Sequence, residues 1–138
     1  MTPDEARAFV THGTRTGKLA TTRSDGSPHV APVWFVMDGD DVIFTTGRDT
    51  VKGRNLVRDP RIAMSVDDQT PPYSFATLFG TVTLSEDLDE MLPWAVRIGE
   101  RYMGSDDAEQ FGRRNAVEGE LLVRMRVTRT VAQKDVSN

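Results

Sequence analysis

The stretch Ile43–Arg61 reads IFTTGRDTVKGRNLVRDPR, and it contains a strand, a turn and a helix in succession. Its first four residues are β-branched or aromatic, which is typical of a strand, and Gly47 begins a turn of small residues. The residues that follow predict a short helix, which Pro60 closes because proline cannot continue the helical hydrogen bonds. The segment therefore predicts a strand that leads directly into the start of a helix.

This predicted helix and its flanks carry a concentration of positive charge. The interval 45–61 has a net charge of +3, whereas the rest of the chain sums to −7. A helix N-terminus presents free backbone N–H groups, and nearby Lys and Arg side chains add charge-assisted hydrogen bonds to phosphate. The residues that we expect to face a phosphate are Thr45, Thr46, Arg48, Lys52 and Asn55. The alternative is a solvated helix whose Arg side chains pair with Asp49 and Asp59.

On both sides of this segment the pattern is one of short strands joined by turns. A capping box at Thr2 and Glu5 predicts an N-terminal helix, and Asp-Gly pairs between β-rich runs predict hairpins. The predicted strands are residues 18–22, 29–37, 42–46, 62–66, 73–84 and 121–131. Helical spacing is expected over 87–103, with its start kinked or delayed by Pro93, and again over 105–115, with Ser105 as the cap. Six antiparallel strands with a few peripheral helices predict a single barrel domain over residues 1–138, since closure removes exposed edges.

Composition excludes several classes of function. The chain has no cysteine, so disulfides and thiolate chemistry are absent, and its net charge of −4 speaks against general nucleic-acid binding. No apolar run approaches the length of a membrane span, and we expect a cytoplasmic protein. His12 and His29 are the only histidines and have no carboxylates at ligand spacing, so we expect no metal site and assign no catalytic residue.

Three motifs carry a resemblance that covers nearly the whole chain. They are the hairpin LATTRSDGSPHVAPVWF (19–35), the pattern K-x-x-N-L-x-x-x-P-R (52–61) and the run GTVTLSED (80–87). In this order they resemble the flavin and deazaflavin oxidoreductases built on the split β-barrel, the pyridoxamine 5'-phosphate oxidase-like group. The resemblance implies the FMN-binding split-barrel fold and a homodimer whose cofactor sites lie at the subunit interface.

In that group the cofactor ring lies against the second and third strands, and the phosphate lies at the start of the basic helix. Carried over to this chain, the resemblance assigns the ring to Pro32, Val33, Trp34 and Phe35, and it assigns the phosphate to the five residues named above. Trp34 and Phe35 point to opposite faces of a strand, so at least one of them should belong to the core.

Within the group, oxidation of vitamin B6 is disfavoured. The run 29–37 contains no basic residue, and the C-terminal segment lacks the Arg-rich substrate motif. Short chains with the K-x-x-N-L helix resemble instead the branch that uses the deazaflavin coenzyme F420, whose polyanionic tail suits several cations. FMN is the alternative cofactor, and heme or no cofactor is a further one.

The resemblance therefore implies an oxidoreductase. Reduced F420 would transfer a hydride to a conjugated small-molecule acceptor, such as an enone, a quinone or a biliverdin-like tetrapyrrole. The alternatives are an FMN-dependent oxidoreductase of the same fold and a non-catalytic carrier of flavin, deazaflavin or heme.

Overall fold

A computed structural model describes residues 1–138 and contains four helices and seven strands. The helices are α1 (Pro3–Thr11), α2 (Val51–Arg58), α3 (Leu88–Met103) and α4 (Ser105–Asn115). The strands are β1 (Gly17–Thr22), β2 (Pro28–Val33), β3 (Val36–Asp38), β4 (Asp41–Gly47), β5 (Arg61–Asp68), β6 (Ser74–Ser85) and β7 (Glu120–Gln133). The mainly β architecture predicted from the sequence is confirmed.

All seven strands form one antiparallel sheet in the order β2-β1-β5-β6-β7-β4-β3. The prediction of six strands was wrong by one, because the run 29–37 is divided into β2 and β3 by Trp34 and Phe35. The prediction of full closure was also wrong, since β2 pairs only with β1, and β3 only with β4. The two edge strands, β2 and β3, are therefore connected through the chain but not by hydrogen bonds between strands, as in a split barrel.

Trp34 and Phe35, which we call the crossover, connect β2 to β3. They do not pair as a strand because the backbone of Phe35 forms hydrogen bonds with side chains of α3. The Phe35 N–H donates to the Tyr102 hydroxyl at 3.2 Å, and the Phe35 carbonyl accepts from Arg101 at 2.7 Å. On the β2 side, Pro32 has no N–H to donate, which suits a strand at the edge of a sheet.

Two tight turns set the local pairing, as the Asp-Gly pairs predict. Gly26 lies between β1 and β2 at φ +87°, and Gly39 lies between β3 and β4 at φ +59°. Both angles fall in the left-handed region that glycine adopts without the steric cost of a side chain. The register that follows is Thr22 opposite Pro28 and Asp38 opposite Asp41.

The curved sheet buries apolar residues on both of its faces. Its inner face forms the main core, in which Phe35, Phe44 and Met64 are fully buried. The outer face of β3, β4 and β7 is covered by α3, whose Met91 and Ile98 pack in a second cluster. The sheet residues of that cluster are Val36, Ile43 and Leu122. Burial on both faces explains why three consecutive residues of β4, 42–44, are all buried.

The helix ends differ in detail from the sequence prediction. Asp87 caps α3 through hydrogen bonds to the N–H groups of Asp89 and Glu90, and Pro93 lies inside the helix without delaying its start. Gly104 occupies the cap position of α4 at φ +92°, so Ser105 is the first helical residue and not the cap.

Candidate functional site

The candidate site is the gap between the two unpaired edges of the sheet, which we call the groove. One side is the free edge of β2, and the other is the second half of β4, residues 44–47, which extends beyond the end of β3. The crossover at Trp34 closes one end, and α2 closes the other end because it contacts β1, β2 and β4. The ring residues and the phosphate residues predicted from the sequence therefore flank the same groove, at its two ends.

The turn that leads into α2 is built by short-range hydrogen bonds. Thr50 caps the helix by accepting from the Gly53 N–H at 3.0 Å, and its hydroxyl donates to the Gly47 carbonyl at 2.7 Å. A Cβ on Gly53 would lie 2.1 Å from that carbonyl oxygen, so only glycine permits this close approach. Thr46 supports the same turn, with its hydroxyl oxygen 3.4 Å from that of Thr50.

Of the five residues predicted to face a phosphate, two point into the protein. Thr46 is 4% exposed and Asn55 is 3% exposed. The Asn55 amide donates to the Thr21 hydroxyl at 3.0 Å and accepts from Arg58 at 3.0 Å. Asn55 therefore fastens α2 to the hairpin of β1 and β2. The other three residues, Thr45, Arg48 and Lys52, reach the surface of the turn.

The positive charge of this segment is partly neutralised within the chain. Arg48 forms an ion pair with Glu86 at 2.6 Å, and Arg61 forms one with Asp59 at 2.9 Å. The alternative of a solvated helix predicts that arginines pair with Asp49 and Asp59. Asp59 does form such a pair, with Arg61, but Asp49 forms none. Lys52 is half-buried and has no carboxylate within ion-pair distance.

A residue that the sequence prediction missed, Glu120, lies at the turn that leads into α2. It is the first residue of β7 and pairs with Gly47 of β4. Its Oε2 atom is buried and has no hydrogen-bond partner. Burial raises the pKa of the Glu120 carboxyl, and the charge of Lys52 acts in the opposite direction. No local motif marks this residue, because its surroundings come from β4 and α2.

At the other end of the groove, Trp34 is braced by two aromatic rings. Its indole stacks on Tyr102 of α3, with centroids 4.8 Å apart and planes 7° apart, and on Phe111 of α4 at 5.5 Å. Trp34 keeps 39% of its surface exposed, whereas Phe35 is fully buried in the core. The prediction that one of this pair belongs to the core is confirmed. Pro32 is exposed, and the Val33 side chain is buried.

Arg101 holds this end of the groove in place, and the sequence prediction missed it. Its guanidinium donates to the carbonyls of Val10, Gly13 and Phe35 at 2.7–3.0 Å and lies 4.5 Å from the centre of the Phe35 ring. Burial lowers the pKa of Arg101 and raises the pKa of Tyr102. Because the Phe35 N–H already donates to Tyr102, it is not free to bind a ligand.

The groove contains no arrangement typical of nucleophilic or metal chemistry. No group of three or more His, Asp or Glu side chains could hold a metal ion. His12 is exposed, and His29 on β2 has a buried Nδ1 atom without a partner. None of the four helices has the length and hydrophobicity that a membrane-spanning helix requires. The site offers an aromatic side chain, a free strand edge and a half-buried lysine outside any ion pair, which suit the binding of a flat ring with an anionic chain.

Comparisons with known proteins identify the family and the fold. The family model described as Pyridoxamine 5'-phosphate oxidase matches residues 2–130. A curated relative, the 5a,11a-dehydrotetracycline/5a,11a-dehydrooxytetracycline reductase of Streptomyces rimosus subsp. rimosus, is 43% identical over 56 residues. That match spans 38% of this chain and 39% of the relative, so less than half of either protein is compared.

Two solved structures are similar over nearly the whole chain. The conserved hypothetical protein Rv2991 from Mycobacterium tuberculosis has a TM-score of 0.85 at 25% identity, over 99% of this chain and 87% of that one. An F420 reductase has a TM-score of 0.70 at 26% identity, over 90% of this chain and 94% of that one.

Proposed function

Since the chain belongs to the pyridoxamine 5'-phosphate oxidase family, we propose that it is an oxidoreductase that uses reduced coenzyme F420. Its substrate would be a conjugated small molecule such as an enone, a quinone or a biliverdin-like tetrapyrrole. The observation that carries this proposal is the half-buried, unpaired Lys52 at one end of a groove whose other end is formed by Trp34. Two similar proteins, a dehydrotetracycline reductase and an F420 reductase, support the same class of reaction.

The residues of the groove divide into two roles. Lys52 and Thr45 would hold the phosphate, and the backbone of Pro32 and Val33 at the free edge of β2 would lie against the ring. When bound, reduced F420 supplies a hydride from C5 of its ring. Trp34, held by Tyr102 and Phe111, provides a fixed wall that limits how an acceptor approaches. In this proposal the chain contributes position and electrostatics.

FMN is a second candidate cofactor because of one specific observation. Arg48 and Arg61 are engaged by Glu86 and Asp59, so fewer free cations remain than the five basic residues of the segment suggest. A single phosphate needs fewer cations than the polyanionic tail of F420 does.

We further propose that the protein acts as a homodimer with the cofactor at the subunit interface. The outer face of β1, β5 and β6 carries small, half-buried side chains, with Ala20 opposite Ala63 and Ser65 opposite Thr77. Val30 at the adjoining edge is 63% exposed. These small side chains, which lie beside Lys18 and Phe79 on the same face, allow a second copy to approach closely. The partner would supply the wall of the groove that this chain lacks.

The experiment that tests the proposed activity uses the purified protein. It is incubated with reduced F420 and a panel of enones, quinones and biliverdin, and oxidation of the cofactor is followed by absorbance. We expect oxidation that depends on both the protein and an acceptor. Tight binding of F420 without acceptor-dependent oxidation would contradict the proposal that the protein is an enzyme, and it would favour a non-catalytic carrier. A protein that is yellow as isolated, with FMN released on denaturation, would favour the second cofactor.

A further inference from the structure

A cavity of about 470 Å³, open to solvent on one side, lies between α1 and the sheet. It is bordered by the turn before β4, whereas α2 follows the other end of that strand, so the cavity and α2 lie at opposite ends of β4. None of the residues predicted to bind the cofactor lines it. Its volume falls within the range of small-molecule sites, about 300 to 1,000 Å³. The cavity is therefore a candidate binding site separate from the groove.

The floor of the cavity is apolar. Ala6 and Val10 form it on the side of α1, and they are 6% and 2% exposed. Leu78 of β6 forms it on the side of the sheet, and both Val10 and Leu78 belong to the main core. The half-buried side chains of Val127 and Ala132 extend this surface along β7. An apolar group that enters the cavity would therefore be removed from water.

The space stays open because α1 is fastened near its two ends. Lys134 donates to the Glu5 carboxylate in the first turn at 2.7 Å, and Arg101 donates to the Val10 carbonyl in the last turn at 2.8 Å. Between these two contacts the helix presents the small side chain of Ala6 to the cavity. A larger residue there would fill space that the alanine leaves free.

A β-bulge shapes the sheet side of the cavity. The pairing of β6 with β7 shifts between Phe79 and Gly80, so Thr128 is an extra residue of β7. Its hydroxyl donates to the Phe79 carbonyl at 3.2 Å. Bulges bend the strand that contains them. Beyond the bulge Thr130 pairs with Leu78, and its exposed side chain therefore lies beside the apolar floor, at the mouth of the cavity.

The mouth of the cavity carries charged side chains. Arg7 of α1 forms an ion pair with Asp40 of the turn before β4, and these side chains are 45% and 88% exposed. An ion pair between exposed side chains contributes little free energy, so Arg7 can exchange Asp40 for another carboxylate at small cost. Of the charged lining residues, Arg7 and Arg129 are basic and Asp40 is the only acidic one. The charge of the mouth therefore favours an anion.

We propose that this cavity binds an aliphatic carboxylate, whose chain lies on Ala6, Val10 and Leu78 and whose carboxylate accepts hydrogen bonds from Arg7. Removal of the chain from water supplies the hydrophobic part of the affinity, and Arg7 selects a carboxylate over a neutral head group. This site is independent of the proposed function, because it shares no residue with the groove.

Isothermal titration with octanoate and with octan-1-ol tests the site, since the two compounds share a chain and differ in charge. We expect the wild type to bind octanoate at least about tenfold more tightly than octan-1-ol. Arg7→Met should remove this preference. Arg113→Met is the matched control, because Arg113 is another helical arginine in an exposed ion pair, and it should retain the preference. Absence of octanoate binding, equal affinities of the wild type for both compounds, or unchanged octanoate affinity in Arg7→Met would overturn the proposal.

Two substitutions that fill the cavity establish where octanoate binds. Ala6→Phe adds a ring from α1, and Thr130→Phe adds one from an exposed position of β7 that tolerates a larger side chain. We expect each variant, once circular dichroism shows that it is folded, to bind octanoate more than about tenfold less tightly. Lys52→Ala should leave octanoate binding unchanged, because Lys52 lies at the groove. Unchanged binding in folded Thr130→Phe, or its loss in Lys52→Ala, would overturn the assignment to this cavity.

Discussion

Lys52 differs from the other cations of its segment in being half-buried and free of an acidic hydrogen-bond partner. Arg48 is held by Glu86, and that ion pair raises the pKa of Arg48. A partly desolvated cation without an ion-pair partner contributes its whole electrostatic attraction to ligand binding. A paired cation contributes less, because its existing ion pair must first be broken. Lys52 is therefore the side chain on which anion binding in this groove should depend most.

We expect Lys52→Ala to weaken cofactor binding by roughly 1 to 3 kcal/mol, the range for a charge-assisted hydrogen bond to phosphate. A fluorescence titration measures the change. Arg54→Ala is the matched control, because Arg54 lies on the same helix but is exposed and should affect affinity little. Unchanged affinity in Lys52→Ala would exclude this residue from the site.

Arg101 links α3 to the end of α1 and to the crossover between β2 and β3. Its guanidinium satisfies carbonyls at the end of α1 and in the crossover, and it lies over the rings of Phe35 and Tyr102. We expect Arg101→Met to lower the free energy of unfolding by about 2 to 3 kcal/mol, because it leaves buried carbonyls without donors.

Chemical denaturation measures this loss. Arg97→Met on the same helix removes only a contact with the Trp94 ring, at 4.7 Å, and should cost less than about 1 kcal/mol. Equal stability of the two variants would show that Arg101 contributes no more than an exposed arginine does.

At the scale of elements, α1 depends on its N-terminal cap. The Thr2 hydroxyl accepts from the Glu5 N–H at 3.1 Å, and the Glu5 carboxylate accepts from the Thr2 N–H at 3.0 Å. We expect Thr2→Ala to destabilise the protein by about 1 kcal/mol in chemical denaturation. Thr14→Ala is the control, since Thr14 is exposed and lies outside the helix. Equal stabilities of the two variants would mean that the capping box contributes nothing to the fold.

Glu5 also links α1 to the end of the chain. Hydrogen bonds to the Glu5 carboxylate lower its pKa to about 2. The largest effect comes from Lys134 and the next from the backbone N–H of Thr2. Because the folded-state pKa lies below the ordinary value of 4.5, the stabilisation is present above pH 4.5 and is lost as the pH falls towards 2. Glu5→Gln should therefore be less stable than the wild type at neutral pH, and thermal melts should converge as the solution is acidified. A difference that does not change with pH would argue against this origin.

At the scale of the whole molecule, the proposed dimer can be tested by placing a charge on the outer face of β1, β5 and β6. Ala63 lies in the middle of β5, between Ala20 of β1 and Phe79 of β6. We expect Ala63→Glu to convert the protein from a dimer to a species of 15.4 kDa in sedimentation, and to weaken cofactor binding, because each site would lose its second wall.

The matched control is Ala8→Glu, the same substitution at an exposed position of α1. It should leave the sedimentation of the protein unchanged. A wild type that sediments at 15.4 kDa at micromolar concentration would contradict the dimer.

Features that depend on neighbouring residues could be read from the sequence alone. The capping box of α1 and the turns at Gly26 and Gly39 are local patterns, and each is present in the structure. They are predictable because the hydrogen bonds and backbone angles involved span only a few residues. The positive charge around α2 is likewise a property of sequence, as is the family resemblance.

Only the tertiary structure decided which side chains reach the groove. Thr46 and Asn55 belong to the basic segment but point inward, because α2 packs on the hairpin of β1 and β2. Arg101 and Phe35 are 66 residues apart in sequence but joined by a hydrogen bond, and Glu120 lies opposite Gly47 only because β7 pairs with β4. Such contacts follow from the order of strands in the sheet, which no short window of sequence contains.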